Sequence, residues 1–572
     1  MLRSLVKSIG AGRAVALSER AIRLLQQRDF AGAERLLRRA IEVNPAYAPA
    51  YHSLGMALCD QRRLDEGAAL FRRALELDPD DLLARINLAN VLVVGNRPEE
   101  AVAHYAEVLR RDPEDAKARA GRVKLLLDLC DWDAAEREVG FLVDRWRRDP
   151  GDPALARLTP FASLLVPFPP EMRFDIARRY SARIVDKVAR EPRPRRPARG
   201  ERAKLRIGYA SGTFHNHPGA HLAAGLFELH DRSRFEVFAY SFGIDDGSEY
   251  RRRLTAAFDR FVDVRTEPYR VTAQRIADDQ IDILVDLRGH TDGSRPEVFA
   301  LRPAAVQVCY LGYPGTTGAT FIDYLVADSV VAPRTDWDWF SEKVVWMPAS
   351  YQVNDASQRV ADAALSRAEF GLPESGFVFC AFNKHYKIER EVFALWMRLL
   401  AAVPGSVLWL LGGAGETRLR QAAARAGVDP QRVVFAGKLP KPAHLARHRL
   451  ADLFVDSYYV NAHTTASDAL WAGLPVLTCP GPTFAGRVGA SLLRAVGLPE
   501  LIVDDLQAYE ARALDLARHP ERLAELRAKL AANRLRAPLF DTERFTRDLE
   551  RAYGRMWEIH RGGGAPQPVA ID

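Results

Sequence analysis

"FRRALELDPDDLLARINLANVLVVGNRPEEAVAHYAEVLRRDP", residues 71–113, ends as it begins: an aromatic residue, a run of helix formers and Asp-Pro, first as FRRALELDP and then as YAEVLRRDP. Read outward in both directions, the phase persists. Pro45, Pro79 and Pro113 each stand 34 residues from the next, which is the period of the tetratricopeptide helix pair. Ala40, Ala74 and Val108 lie five residues before their prolines, Leu37, Phe71 and Tyr105 eight before, and Ala33, Gly67 and Ala101 twelve before. Small residues let paired helices approach, and the large apolar ones fill the groove between them. A looser fourth unit closes at Pro150 after CDWDAAEREVGFLVDRWRRDP. The spacing predicts an α-helical solenoid over 15–150, with a concave face suited to protein or peptide partners. A repeat scaffold without catalysis is the plain alternative, so the remainder of the chain has to decide.

The 572 residues allow two to four domains of about 100 to 200 residues, and 48% hydrophobic with 27% charged residues is an ordinary globular composition. No run approaches the ~18 consecutive apolar residues of a membrane span, and the N-terminus lacks a signal-peptide pattern. The expectation is a cytoplasmic protein with no membrane partner. Five scattered cysteines (Cys59, Cys130, Cys309, Cys380, Cys479) form no C-x-x-C pair and read as reduced thiols. The net charge of +7 spreads over interspersed acids and bases, so nucleic acid is not expected. The densest basic run, REPRPRRPARGERAKLR at 190–206, is proline-rich and reads as a solvated linker, within a helical connector and linker spanning 151–203.

From 204 the pattern changes to short apolar runs alternating with helical segments. KLRIGYAS, FEVFAYS, IDILVDLRG and AVQVCYLG are strand candidates in 204–360. FVFCAFN, SVLWLLGG, RVVFAG, LFVDS and PVLTCPG follow in 370–560. Such alternation implies two α/β, Rossmann-like domains with parallel sheets, separated near 353–376, with ligands beyond the carboxyl ends of the strands. The last stretch, 561–572, reads as a flexible tail.

Several strand exits carry polar chemistry. In YYVNAHTTASD, His463, Thr464, Thr465 and Asp468 open a helix, where unpaired N–H groups suit a pyrophosphate and Asp468 suits a ribose; a threonine cap with an exposed aspartate fits equally well. FNKHYKIER places Lys384 and Lys387 where cations could neutralise a departing diphosphate. LPKPAHLARHRLAD puts Lys441, His444 and Arg447 at another helix start. In FHNHPGAHL, His217 precedes Pro218, and a histidine at a helix N-terminus stays neutral and able to accept a proton. Capping or packing is the simpler use of His215, His217 or His221. GYPGTTG supplies a glycine-rich turn, Gly312, Tyr313, Pro314, Gly315 and Thr316, fit for a sugar or acceptor. The D-x-D of DWDWF lies in a proline-flanked connector, and no metal or other cofactor is expected.

RIGYASGTFHNHPGAHL, DDGSEYR, LRPAAVQVCYLGYPGTTGA, FNKHYKI, SVLWLL and NAHTTASDALWAG, in this order, resemble the O-linked N-acetylglucosamine transferase family, the tetratricopeptide-bearing GT-B glycosyltransferases that include the SPINDLY O-fucosyltransferases. The resemblance covers nearly the whole chain. It implies inverting, metal-independent transfer from a nucleotide sugar to serine or threonine hydroxyls of proteins. Lys387 would contact the diphosphate, 463–465 the phosphates and Asp468 the ribose, while Lys441, His444 and Arg447 would line the uridine and phosphate pocket. His217 matches the proposed catalytic histidine, whose role as base is debated against a phosphate oxygen of the donor. Animal members carry glutamine in place of Lys384, a longer repeat array and a long insert absent here. Tyr386 and SVLWLL match the N-acetylglucosamine branch, which favours UDP-GlcNAc over GDP-fucose as donor. Nothing in the sequence speaks to oligomeric state.

Overall fold

A computed structural model describes residues 2–572 apart from 27, 28, 62, 96, 153, 154, 156, 157, 199, 201 and 363. The chain forms two compact units, Met1–Leu142 and Val143–Asp572.

The first unit is built of helix pairs, among them Ala48–Asp60 with Leu64–Leu77 and Leu82–Val94 with Pro98–Arg111, each pair ending just before a repeat proline. The repeat positions are its core: Leu37, Phe71 and Tyr105, and likewise Ala40, Ala74 and Val108, are all buried. Gly67 shows why its position stays small, since a Cβ there would lie 2.3 Å from Cys59 Sγ. A second periodicity closes the turns. Tyr51, Arg85 and Arg119 occupy one phase, and each donates to the carbonyl of the proline six residues earlier, at 3.1, 2.9 and 2.7 Å. Asp81 and Asp115 cap the following helices through Ala84 N and Ala118 N, both at 2.8 Å.

In the second unit the helices Pro160–Leu164 and Pro170–Val188 lead into two parallel sheets. The first contains β1 (Leu205–Ser211), β2 (Phe235–Ser241), β3 (Arg260–Asp263), β4 (Ile283–Asp286), β5 (Val306–Cys309), β6 (Tyr324–Asp328) and β7 (Lys343–Met347). The second contains β8 (Val378–Ala381), β9 (Val407–Leu411), β10 (Val433–Ala436), β11 (Leu453–Val455) and β12 (Val476–Leu477). With β13 (Val569–Ala570) the orders are β13-β7-β6-β5-β4-β1-β2-β3 and β10-β9-β8-β11-β12. Strands such as β4, β5 and β6 are buried along their whole length, as parallel strands covered on both faces must be. Strand order changes direction between β1 and β4 and between β8 and β11, the two points where a ligand crevice opens.

Two expectations need correction. The 561–572 stretch is not a free tail: β13 pairs in parallel with β7 through Val569 and Ala570, and Val569 is buried. The helix Thr542–Arg561, expected in the second α/β half, packs on the first sheet instead. Tyr553 Oη meets Tyr209 Oη of β1 at 3.0 Å, and Glu550 accepts Asp231 N at 2.7 Å while facing His230 Nδ1 at 3.0 Å. These polar partners are far away in sequence, so periodicity within the helix could not assign it to a lobe. The chain thus crosses between lobes twice, and the crossings are joined. Asn354 Nδ2 donates to Leu539 O at 3.1 Å, and Thr542 Oγ1 donates to Asn354 O at 2.7 Å.

Candidate active site

At the switch point of the second sheet, the exits of β8 and β11 meet. Lys387 sits in the 3-10 turn His385–Lys387, and its Nζ donates to Asn461 O at 2.7 Å. Two carboxylates shape the floor below. Asp456 accepts Ser457 N at 2.9 Å, Ala462 N at 2.6 Å and the Thr478 hydroxyl at 2.8 Å. Glu389 accepts Tyr459 N at 2.7 Å and Tyr458 N at 3.3 Å. Burial lowers the Lys387 ammonium below the ordinary lysine range, against the pull of Asp456 and Glu389. Burial also raises Asp456 and pushes Glu389 up to about 7. A cation held this way gains from any anion that joins it.

The next helix, Thr464–Trp471, starts beside this lysine. His463 holds the N-cap position yet makes no side-chain cap; its Nε2 lies 3.1 Å from Ala485 O, and burial, with Lys387 adding, pulls its pKa down to about 3. The first-turn N–H groups are therefore left without a capping side chain. Thr465 Oγ1 donates to Asn383 Oδ1 at 2.6 Å. Asp468 is buried rather than exposed, ion-paired to Lys441 and 3.7 Å from His444 Nε2. Neither element of the simple capping arrangement, a threonine cap or an exposed aspartate, is present.

In the first sheet, β1 leads to His217 at the N-cap of the helix Pro218–Leu229. Its Nδ1 accepts Gly219 N at 3.1 Å, and burial, reinforced by Arg288 and His215, pulls its pKa down to about 4. With Nδ1 accepting, the neutral ring carries its proton on Nε2. A cavity of about 170 Å3 brings His217, Arg288, Gly312 and Gln352 of this lobe against His463 and Thr464 of the other. Gln352 Nε2 closes its edge by donating to Ser467 Oγ at 2.6 Å.

The structure redistributes some of the expected residues. Lys384 is exposed. Arg447, expected on the pocket wall, is fully buried: it donates to Gly437 O and to His444 Nδ1, both at 2.6 Å, and lies 4.3 Å over the Phe382 ring. Its place is behind His444, whose ring it orients, because a guanidinium with two acceptors and an aromatic face can remain in the interior. Of the glycine-rich turn, Gly312 reaches the 170 Å3 cavity, whereas Tyr313, Pro314, Gly315 and Thr316 line a separate one. Buried Glu342 clamps the turn, accepting the Thr316 hydroxyl at 2.7 Å and Thr317 N at 2.6 Å. Asp336 of the discounted D-x-D is paired with Arg487.

Sequence reasoning missed Asp456, Glu389, Arg288 and Glu342. A signal existed for the first: Asp286 closes β4, Asp328 closes β6 and Asp456 follows β11, each after an apolar run ending in Val or Val-Ala. Each turns back on the loop it starts. Asp286 accepts Arg288 N and Gly289 N at 2.8 and 3.0 Å, and Asp328 accepts Val330 N and Val331 N at 2.8 and 3.0 Å.

The glycosyl transferase family 41 model matches residues 129–363 and 361–549, and tetratricopeptide models match 18–81 and 95–158. The chain is 39% identical over 459 residues to the probable UDP-N-acetylglucosamine–peptide N-acetylglucosaminyltransferase SEC of Arabidopsis thaliana, covering 77% of this chain and 47% of that protein. It is 30% identical over 558 residues to the Caenorhabditis elegans UDP-N-acetylglucosamine–peptide N-acetylglucosaminyltransferase, covering 76% and 48%. The chain thus spans about half the length of these curated relatives. Among solved structures, a point mutant of the Thermobaculum terrenum O-GlcNAc transferase superposes with a TM-score of 0.70 at 29% identity, over 97% of this chain and 99% of that one.

Proposed function

The chain belongs to glycosyl transferase family 41, and from that membership we propose that it is a protein O-GlcNAc transferase of GT-B architecture. In this reading it moves N-acetylglucosamine from UDP-GlcNAc to serine or threonine hydroxyls of polypeptides that the repeat unit recruits. The observation that carries the reading is the second-lobe crevice, where Lys387 and an uncapped helix start converge opposite His217. A UDP pyrophosphate would complete the free N–H groups of Thr464 and Thr465 and pair with Lys387. Asp468, held by Lys441, would offer its remaining acceptor capacity to the ribose.

In the transfer, the acceptor oxygen attacks the anomeric carbon from the face opposite the leaving group, the bond from that carbon to the UDP oxygen breaks, and configuration inverts. Lys387 and the helix start meet the charge that develops on UDP, the electrostatic role a metal ion plays elsewhere. The acceptor proton needs a base, and the tautomer of His217 argues against its being that base. Its one free nitrogen, Nε2, carries hydrogen while Nδ1 is held by Gly219 N, so His217 donates to an oxygen of sugar or acceptor. The base is then a phosphate oxygen of the donor. Five free cysteines fit a reducing, cytoplasmic setting.

The decisive experiment incubates the full chain with UDP-GlcNAc or GDP-fucose and serine-containing peptides, following nucleotide release and peptide mass. An added N-acetylhexosamine with UDP release is the expected result. Release from GDP-fucose alone would make the chain an O-fucosyltransferase, and release from neither would leave a repeat scaffold.

A further inference from the structure

The second cavity, about 110 Å3, shares a wall with the first: Gly312 faces one side, and Tyr313 to Thr316 face the other. Phe174 of the helix Pro170–Val188, Trp339, Phe340 and Phe484 make its sides, and Phe174 meets Trp339 edge to face at 6.4 Å. This is an aromatic box with charge inside it. Arg487 is neutralised by Asp336, whereas the Arg173 guanidinium makes no hydrogen bond or ion pair with any of the described residues. Burial draws it below the usual arginine range; Tyr313 and Glu171 oppose that pull, and Arg487 adds to it. Glu171 itself is exposed. The lining therefore carries one uncompensated positive charge among rings.

A guanidinium in such a place costs desolvation, which only an anion brought from outside offsets well. Its planar fork matches a carboxylate with two parallel hydrogen bonds and one charge each, whereas a phosphate dianion would exceed the single free charge. The rings suit the methylene stem of an acidic side chain. In the reading above the donor's phosphates belong to Lys387 and the helix start, and Gly312 lines the cavity between His217 and Thr464 while Tyr313 to Thr316 line this box, so the box lies next to the proposed donor site. We propose that Arg173 binds the carboxylate of an acidic side chain in the acceptor polypeptide, within a few residues of the hydroxyl that receives the sugar. This inference rests on the reading of the chain as a transferase to protein hydroxyls.

The test uses the full chain and matched serine-centred peptides with one Glu or one Gln at each position from three before to three after the serine. At one or two positions the Glu peptide should be preferred by about tenfold in kcat/KM, expressed in KM, as one charged hydrogen-bonded pair allows. Arg173→Met should bring the Glu to Gln ratio to about one, Arg173→Lys should retain part of it, and Arg173→Glu should turn the preference towards a Lys peptide. In the unaltered chain the ratio should also shrink as salt rises. Equal use of Glu and Gln peptides by the unaltered chain would overturn the proposal, and so would a Glu preference that survives Arg173→Met. If no peptide receives sugar, the transferase reading fails by itself. Fluorescence anisotropy of the labelled Glu and Gln peptides then still decides on Arg173, because equal affinities refute the carboxylate site.

Discussion

His217 and His463 hold the same position in two lobes, the N-cap of a helix entered at the sheet's switch point, and they are used in opposite ways. His217 turns its Nδ1 onto its own helix and satisfies Gly219 N. His463 turns its ring away, to Ala485 O, and leaves the start of Thr464–Trp471 open beside Lys387. One helix start is closed by a side chain; the other is left without a side-chain cap. The difference teaches that a helix N-terminus stays open to an anion through what its cap residue declines to do, and that a neighbouring cation adds to that preference.

The largest expected effect breaks the open side. Lys387→Ala should lower UDP release from UDP-GlcNAc by about 10²- to 10³-fold, the scale of losing one preorganised electrostatic group; a change below threefold would remove Lys387 from the leaving-group role. Next in size, UDP at a hundred times its Kd should stabilise the chain by about 2.7 kcal/mol in thermal unfolding. No shift in Tm at any UDP concentration would mean that the open helix start is not the nucleotide site. On the closed side, His217→Ala should cost about 1 kcal/mol in urea unfolding, as the loss of a cap does, and His217→Asn should restore most of it while transfer stays impaired. Equal instability of the two variants would show that the Nδ1 contact is incidental.

The smallest effect is in pH. The folded-state pKa of His217 lies near 4, below its ordinary value of 6.5, so its contribution to stability is full above pH 6.5 and is lost as pH falls towards 4. Its charging would then limit kcat/KM only near pH 4. An acid limb at pH 6.5 that vanishes in His217→Asn would contradict the buried, neutral ring.

Much of this was legible in the residues, for reasons that differ by region. The solenoid announces itself because each repeat must bury the same face, so Leu37, Phe71 and Tyr105 recur in phase and all prove buried. The strands of the α/β unit were found where apolar runs are continuous, as in FEVFAYS, which is β2 residue for residue. β3, with its part-exposed RFVD, and β13, two residues long, offer no such run. β6 and β7 do have apolar cores, but they lie around the proline-flanked DWDWF that read as a connector. In the site, Lys387 and the helix at 464 were visible because a charge after a strand and a polar helix start are local patterns. Asp456 and Glu389 were not, because their work is to accept N–H groups from a loop that only the tertiary fold brings to them. Arg447 misled in the other direction, as its acceptors Gly437 O and His444 Nδ1 leave no trace in the spacing of charges.

The two stitched crossings near Asn354 and Thr542 restrict how the two lobes can move against each other. Two lobes joined by a single strand of chain could swivel about any axis. Here the outgoing and returning segments are hydrogen-bonded to each other, so they behave like the paired leaves of a door hinge. A twist of one lobe against the other would shear these bonds, so the seam resists it. His217 and Thr464, which line one cavity from opposite lobes, are thus held face to face by a seam formed of residues far from both in sequence.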